Sequence, residues 1–426
     1  MDTNLREAWE RGNEFRRGLP AVDVARHARE VILIASSSRG GSTIFAEMLR
    51  RSTVLMHFRA EINPQLRSFG CAGTEDDSVP GDHELPAGLG QALGADCGQP
   101  TDKLGTDQEV TAFAKEIAAR LCLQWPEVDV SLSAVDESVR IVLAELRANE
   151  GWKDRFVDVS TFYANLLPRL QARWPGINPA AYDIDKQRLA AAVAPFTPVG
   201  PVEEPPFVLP VPWQHATVAD LENRPLVIKT PSNVYRLAWL RRLFPNANVR
   251  VLHLTRNAAA SINGLFDGWR FPGFHSHDVG GLSIQHYSEM APGGDRWWKF
   301  DRPPGWEDQK RAPLEHVCAF QWTSAHQAVL RDNAPDRLTV RFEDIMGGAE
   351  RQAQAVNELA RWLNSPVEAE LLHTLRRGLP IVMATAQPRH RRWFDRASLI
   401  EPVCKKPAVA SVMSALGYPA DPEKWE

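Results

Sequence analysis

The sequence predicts an α/β protein with a P-loop-type parallel sheet flanked by helices. Three observations lead there. Val31-Ile-Leu-Ile-Ala35 is a short apolar run of the kind a buried strand needs, a Ser/Gly turn follows it, and Ile44–Arg51 then carries a helical pattern. Leu226-Val-Ile-Lys229 repeats the theme: a helical pattern follows (Val234, Leu237, Leu240, Leu243), then a second buried strand, Val249–Leu254, then Thr255-Arg256-Asn257 opening another helix. The composition, 44% hydrophobic and 24% charged, is that of a globular protein.

The first turn, Ser36-Ser-Ser-Arg39-Gly-Gly-Ser42-Thr43, reads as an anion cradle. Gly40 and Gly41 lack side chains, so backbone N–H groups can close on phosphate-like oxygens at the positive end of the following helix. Ser42 and Thr43 add hydroxyl donors, and Arg39 adds a fixed charge. It is not the NTPase loop, which needs G-x-x-x-x-G-K-[ST] with lysine beside the magnesium-binding hydroxyl; here the cation is an arginine three residues before Ser42.

Arg39-Gly-Gly-Ser-Thr resembles the 5′-phosphosulfate loop of sulfotransferases that use 3′-phosphoadenosine-5′-phosphosulfate (PAPS). The order Lys229-Thr-Pro231, helix, Phe244-Pro245-Asn-Ala, strand, Arg256-Asn257 resembles the middle of that family's core. Leu338-Thr-Val-Arg-Phe-Glu343-Asp344-Ile resembles its late strand, and Arg389-His-Arg-Arg-Trp393 with Leu416-Gly417-Tyr418 resembles its basic-aromatic tail. The resemblance covers about residues 31–69, 226–346 and 380–419.

It implies PAPS as cofactor and its 3′,5′-bisphosphate (PAP) as product, with no metal, because arginine, lysine and backbone N–H groups neutralise the charge. By the same resemblance Arg39, Gly40, Gly41, Ser42 and Thr43 hold the 5′-phosphate, Arg256 recognises the 3′-phosphate, and Lys229 sits near the bridging oxygen. Glu61, in His57-Phe-Arg59-Ala-Glu61, resembles the general base of the carbohydrate and tyrosylprotein branches; His57 is the reserve. Arg389, Arg391 and Arg392 would close over the cofactor, a solvated basic turn being the other reading of that run. Two departures stand out. The run from Phe244 to Arg256 is about two residues longer than usual, and Gly264 stands where the family places a serine, with Ser261 and Asn263 nearby. Ser261 is one helical turn earlier and would substitute as donor. The competing functions are an atypical P-loop kinase, disfavoured by the missing G-K-[ST], and a degenerate, non-catalytic nucleotide- or sulfate-ligand-binding protein.

The motif order places strands of one sheet on both sides of residues 70–225. The 426 residues therefore read as an N-terminal helical extension (1–30) and one domain (31–426) carrying an insertion (71–225) that suggests a cover over the acceptor pocket. The extension is expected to be exposed. The insertion opens with a Gly/Asp/Pro-rich loop (70–102), continues with helices at 109–123, 131–147, 161–173 and 184–193, and ends in an arm with seven prolines between Pro195 and Pro212. A further irregular stretch, 267–313, is dense in Trp and Phe; lining the acceptor pocket and packing as a satellite core are its two open roles.

A net charge of −4 and pI near 6.3 speak against a nucleic-acid or anionic-membrane binder. The N-terminus has no signal character, and no apolar run is long enough to span a membrane, so a cytoplasmic enzyme is expected. The five cysteines are scattered and read as reduced thiols. His275, His277 and Asp278 lack a further pair at metal-ligand spacing. The acceptor stays open among small molecules, carbohydrates, lipids and peptides.

Overall fold

The computed structural model describes residues 3–71, 85–184, 203–274, 276–291, 293–332 and 336–425. Its centre is a seven-stranded sheet in the order β4-β3-β2-β5-β1-β6-β9. The strands are β1 (Glu30–Ala35), β2 (Met56–Phe58), β3 (Cys97–Pro100), β4 (Trp213–His215), β5 (Leu226–Lys229), β6 (Asn248–Thr255) and β9 (Arg337–Arg341). A separate hairpin joins β7 (Ser276–Asp278) to β8 (Trp297–Lys299). β2, β5, β1, β6 and β9 run parallel, and β3 and β4 add an antiparallel edge.

β1 shows why the apolar runs become central strands. Side chains alternate across a strand, and Val31, Leu33 and Ala35 enter one core with Met56, Phe58 and Leu226, while Ile32 and Ile34 enter another with Phe45, Leu49 and Leu254. Both faces are covered, so every position must be apolar. Because Val31 pairs with Leu226 on one side and with Val249 on the other, the carboxyl ends of β5, β1 and β6 lie level along one edge. The chain leaves β1 toward β2 on one flank and reaches β6 on the other, and such a switch point is where α/β sheets bind ligands.

The helices of the insertion span Asp107–Gln124, Leu132–Asn149 and Val159–Arg173, where the periodicity puts them, and the first opens with a capping box between Thr106 and Glu109. They close on a core of their own around Phe113, Phe156, Phe162, Tyr163 and Trp152. The helix expected at 184–193 lies outside the described residues from 185 onward, as does the first part of the proline-rich arm.

Two expectations differ from what is found. Within 70–102 the described part is not all loop: Leu89–Gly94 is a helix and β3 follows, so the insertion contributes β3 and β4 to the sheet. The N-terminal helix Thr3–Phe15 is not free in solvent. It lays Ala8 and Trp9 against the body, and Gly12 lets it approach so closely that a Cβ there would stand 3.1 Å from the Ala119 carbonyl. Arg6 and Glu10 pair on its outer face, whereas Arg11 Nη2 donates to the Pro126 carbonyl at 2.6 Å.

The aromatic stretch divides ring by ring between a core and the wall of a cavity. Trp269 and Trp298 are fully buried, edge to face at 4.9 Å, in a core shared with Trp322 and Tyr287. Phe274 and Phe300 instead face the cavity described next.

Candidate active site

The carboxyl ends of β2, β5, β1, β6 and β9 open into one cavity of about 850 Å³. The turn after β1 forms its floor. Arg39 has φ +62° and Gly41 φ +91°, and a Cβ on Gly41 would stand 2.4 Å from the Phe342 ring, so only glycine fits there. The first bond of the helix Ser42–Leu49 runs from Phe45 N–H to the Gly41 carbonyl at 3.1 Å. The N–H groups of Ser42, Thr43 and Ile44 thus precede any intrahelical acceptor, and Gly41 supplies no side-chain cap. An anion is the natural partner for such an end.

Arg39 is half-buried in this floor. Its Nη1 donates to the Met383 carbonyl at 2.7 Å, its guanidinium lies 5.0 Å from the Phe274 ring centre, and its Nε has no hydrogen-bond partner among the described residues. Burial, and next the Arg256 charge, push its pKa down to about 10, so it stays charged at neutral pH at a cost that an incoming anion would offset. Met383 has φ +52°, and its N–H donates to the Asp183 carboxylate at 2.7 Å. The segment 379–393 therefore spans the cavity, held to the floor by Arg39 and to the insertion by Asp183.

Parallel pairing of β2 with β5 sets Glu61 beside Lys229, and the two form an ion pair. Side bonds lock the two turns together: Ile62 N–H donates to Thr230 Oγ1 at 3.2 Å, and Arg236 Nη1 donates to Asn63 Oδ1 at 2.7 Å. Lys229 is 15% exposed and Glu61 39%, so the carboxylate is the partner an incoming molecule can reach.

On the other flank Arg256 leaves the end of β6, 4.9 Å from the Phe342 ring centre, and burial lowers its pKa. Glu343 accepts from Asn257 N–H at 2.7 Å and from the Tyr418 hydroxyl at 3.0 Å, and burial raises its pKa. Arg341 Nη2 donates to the Gly417 carbonyl at 2.6 Å. The late-strand and tail motifs thus meet around the β6 end. Arg389 pairs with Asp395, and Arg392 pairs with Asp267, which also holds Arg396 at 2.7 Å.

Arg39, Gly41, Ser42, Thr43, Glu61, Lys229, Arg256, Arg389, Arg391 and Arg392 all line the cavity. Gly40 lies behind the wall, where a Cβ would meet Ser36 Oγ at 2.4 Å. His57 is off the cavity, buried in β2, with its pKa pushed down to about 3 by burial and then by Arg50, so it is a neutral core residue with no path to a reacting group. Ser261 is fully buried on the hidden side of the helix Ala258–Arg270. On that helix the positions facing the cavity are Ala260, Asn263 and Gly264, the last so near that its Cβ would touch Arg39 Cβ at 3.5 Å, and Asn263 accepts from Arg396 at 2.7 Å. Asp301, Met383 and Asp183 carry no sequence signal that singles them out. Among the described residues no group of three His, Cys, Asp or Glu side chains is disposed to hold a metal ion, and no helix is long and apolar enough to cross a membrane.

No family model and no curated protein matches the chain. Among solved structures, the sulfotransferase domain from the curacin biosynthetic pathway shares 14% identity, with 93% of this chain and 100% of that chain covered at a TM-score of 0.38. Sulfotransferase STF9 from Mycobacterium avium shares 12%, with 97% and 84% covered at 0.38. The sulfotransferase domain from the Synechococcus PCC 7002 olefin synthase shares 12%, with 92% and 97% covered at 0.32. All three are sulfotransferases.

Proposed function

We propose that this chain is a PAPS-dependent sulfotransferase acting on a hydroxyl or amine. One observation carries the reading: Arg39, Lys229 and Arg256 stand at the ends of three neighbouring strands and converge on one cavity around an uncapped helix N-terminus. The residues suit a bisphosphorylated donor. The unpartnered Arg39 Nε and the first-turn N–H groups would hold the 5′-phosphate, and Arg256 the 3′-phosphate. PAPS, when bound, supplies a sulfuryl group on a phosphate leaving group.

The chain's own residues then have distinct tasks. Glu61, paired with Lys229, takes the proton that the acceptor loses. Lys229 faces the charge that grows toward the leaving oxygen, and Arg39 with the loop N–H groups stabilises it from below, which is the main catalytic lever in a loose, in-line transfer. Phe274 and Phe300 keep bulk water from the reacting face. The cytoplasm is the compartment this reading takes, since all five cysteines are free thiols.

Calorimetry with PAP and AMP tests it. A desolvated charge-assisted contact to the extra phosphate is worth roughly 1.5–3 kcal/mol, so PAP should bind about 10- to 100-fold more tightly. Equal affinities would remove the basis for the assignment.

A further inference from the structure

We propose that Asp301 is a positioning residue that clamps the anion loop to the Lys229 turn, a role that rests on the sulfotransferase reading above. Asp301 is 6% exposed and reaches the cavity wall from the aromatic stretch. Its Oδ2 accepts from Ser38 Oγ at 2.7 Å, and its Oδ1 accepts from Ser232 Oγ at 3.0 Å. Ser38 immediately precedes Arg39, and Ser232 follows Lys229 by three residues; both serines are buried. One carboxylate therefore bridges the two turns that carry the cations expected to meet the transferred group.

The frame behind it is rigid. The Asp301 backbone carbonyl accepts from Gln321 Nε2 at 2.8 Å and from Trp298 Nε1 at 3.2 Å. Gln321 in turn accepts from Trp269 Nε1 at 3.0 Å, inside the tryptophan core. A carboxylate in the wall of an anion site repels the ligand, and it is tolerated here because both its oxygens take hydroxyl hydrogens. The return is geometric. Arg39 has φ +62°, a backbone state that a non-glycine residue keeps only when its surroundings hold it there, and the bond to Ser38 is the hold next to it in the chain. Placement within a fraction of an ångström decides how well such cations serve a ligand.

The test is a double-mutant cycle read by PAP affinity and, separately, by thermal melting. Asp301→Ala should weaken PAP binding roughly 10-fold or more, Ser38→Ala should weaken it less, and the double variant should bind about as well as Asp301→Ala alone, because contacting residues do not act independently. Asp301→Asn, which keeps one acceptor oxygen and the shape, should fall between wild type and Asp301→Ala. A purely structural Asp301 would lower the melting temperature and leave PAP affinity alone, and that result overturns the proposal, as would losses from Asp301→Ala and Ser38→Ala that multiply. Should Asp301→Ala fail to fold, Ser38→Ala/Ser232→Ala opens the same bridge from its other end and must weaken PAP binding. Wild type that does not prefer PAP over AMP sinks the sulfotransferase reading together with the clamp, whereas wild type that prefers PAP beside unaffected variants sinks the clamp alone.

Discussion

The wall of the cavity at the ends of β1, β5 and β6 takes its cations from strand ends or from a turn four residues beyond one, whereas the facing wall is assembled from 203–208, 274–301 and 379–393, segments far apart in the chain. On the first wall, sheet register fixes where each residue begins, so Arg39, Lys229 and Arg256 cannot shift without disturbing the core. The second wall hangs on separate packing, the insertion core around Phe162 and the tryptophan core around Trp298. The lesson is a division of labour in which the sheet sets where each cation begins, while the cores behind the facing wall set the shape of the cavity and, through the Asp301 bonds to Ser38 and Ser232, brace the turns that carry Arg39 and Lys229.

That division is open to direct attack. The largest effect is expected at Glu61: Glu61→Gln keeps size and hydrogen bonding but cannot take a proton, so label transfer from radiolabelled PAPS into cell-extract products should drop by roughly 10²–10⁴ while PAP affinity stays unchanged. Near-normal transfer would remove Glu61 from the chemistry. Phe162→Ala, in the insertion core, should cost about 3–5 kcal/mol in denaturant unfolding with no change in PAP affinity; a loss of affinity would show that the two walls are coupled. Arg39→Ala should lower kcat and kcat/KM together by roughly 10²–10³, since its partner charge is fullest in the transition state. A change confined to KM would make Arg39 a ground-state anchor.

A pH effect separates the halves in another way. His57, His253 and His326 lie in the sheet half, buried and neutral, with His57 and His326 pushed down to about 3 by burial. Their folded pKa values lie below the unfolded value near 6.5, so between about pH 6.5 and 3 the unfolded chain binds more protons and stability falls on acidification. His57 and His326 each contribute up to about 1.4 kcal/mol per pH unit across that window, and His253 acts in the same direction. Hydrogen exchange at pH 7 and pH 5 should therefore show the sheet loosening before the three insertion helices, and uniform loosening would contradict the contrast.

What was legible in the sequence follows the same line. The strands, the glycine loop and the cations after them were readable because apolar runs bounded by a turn encode local geometry. The insertion helices were readable from periodicity. Glu61 beside Lys229 needed the β2–β5 pairing, which only the sheet register supplies. His57 and Ser261 misled because spacing along a chain does not say which side of a strand or helix faces the core: one is a core imidazole, and the cavity side of the other's helix is Ala260, Asn263 and Gly264. Asp301, Asp183 and Met383 were invisible, since their partners Ser38, Met383 and Arg39 are 263, 200 and 344 residues away.

The bond from Arg39 to the Met383 carbonyl ties the glycine turn to the segment above it. The guanidinium in the floor is not a bare charge; one of its N–H groups rests on a peptide oxygen whose own residue is held by Asp183. Under the function proposed above, an anion would meet Arg39 through its Nε–H, on the side of the guanidinium that Met383 does not engage. The segment 379–393 would then keep its ties to Arg39, to Asp183 and, through Arg392, to Asp267 while the ligand sits beneath it.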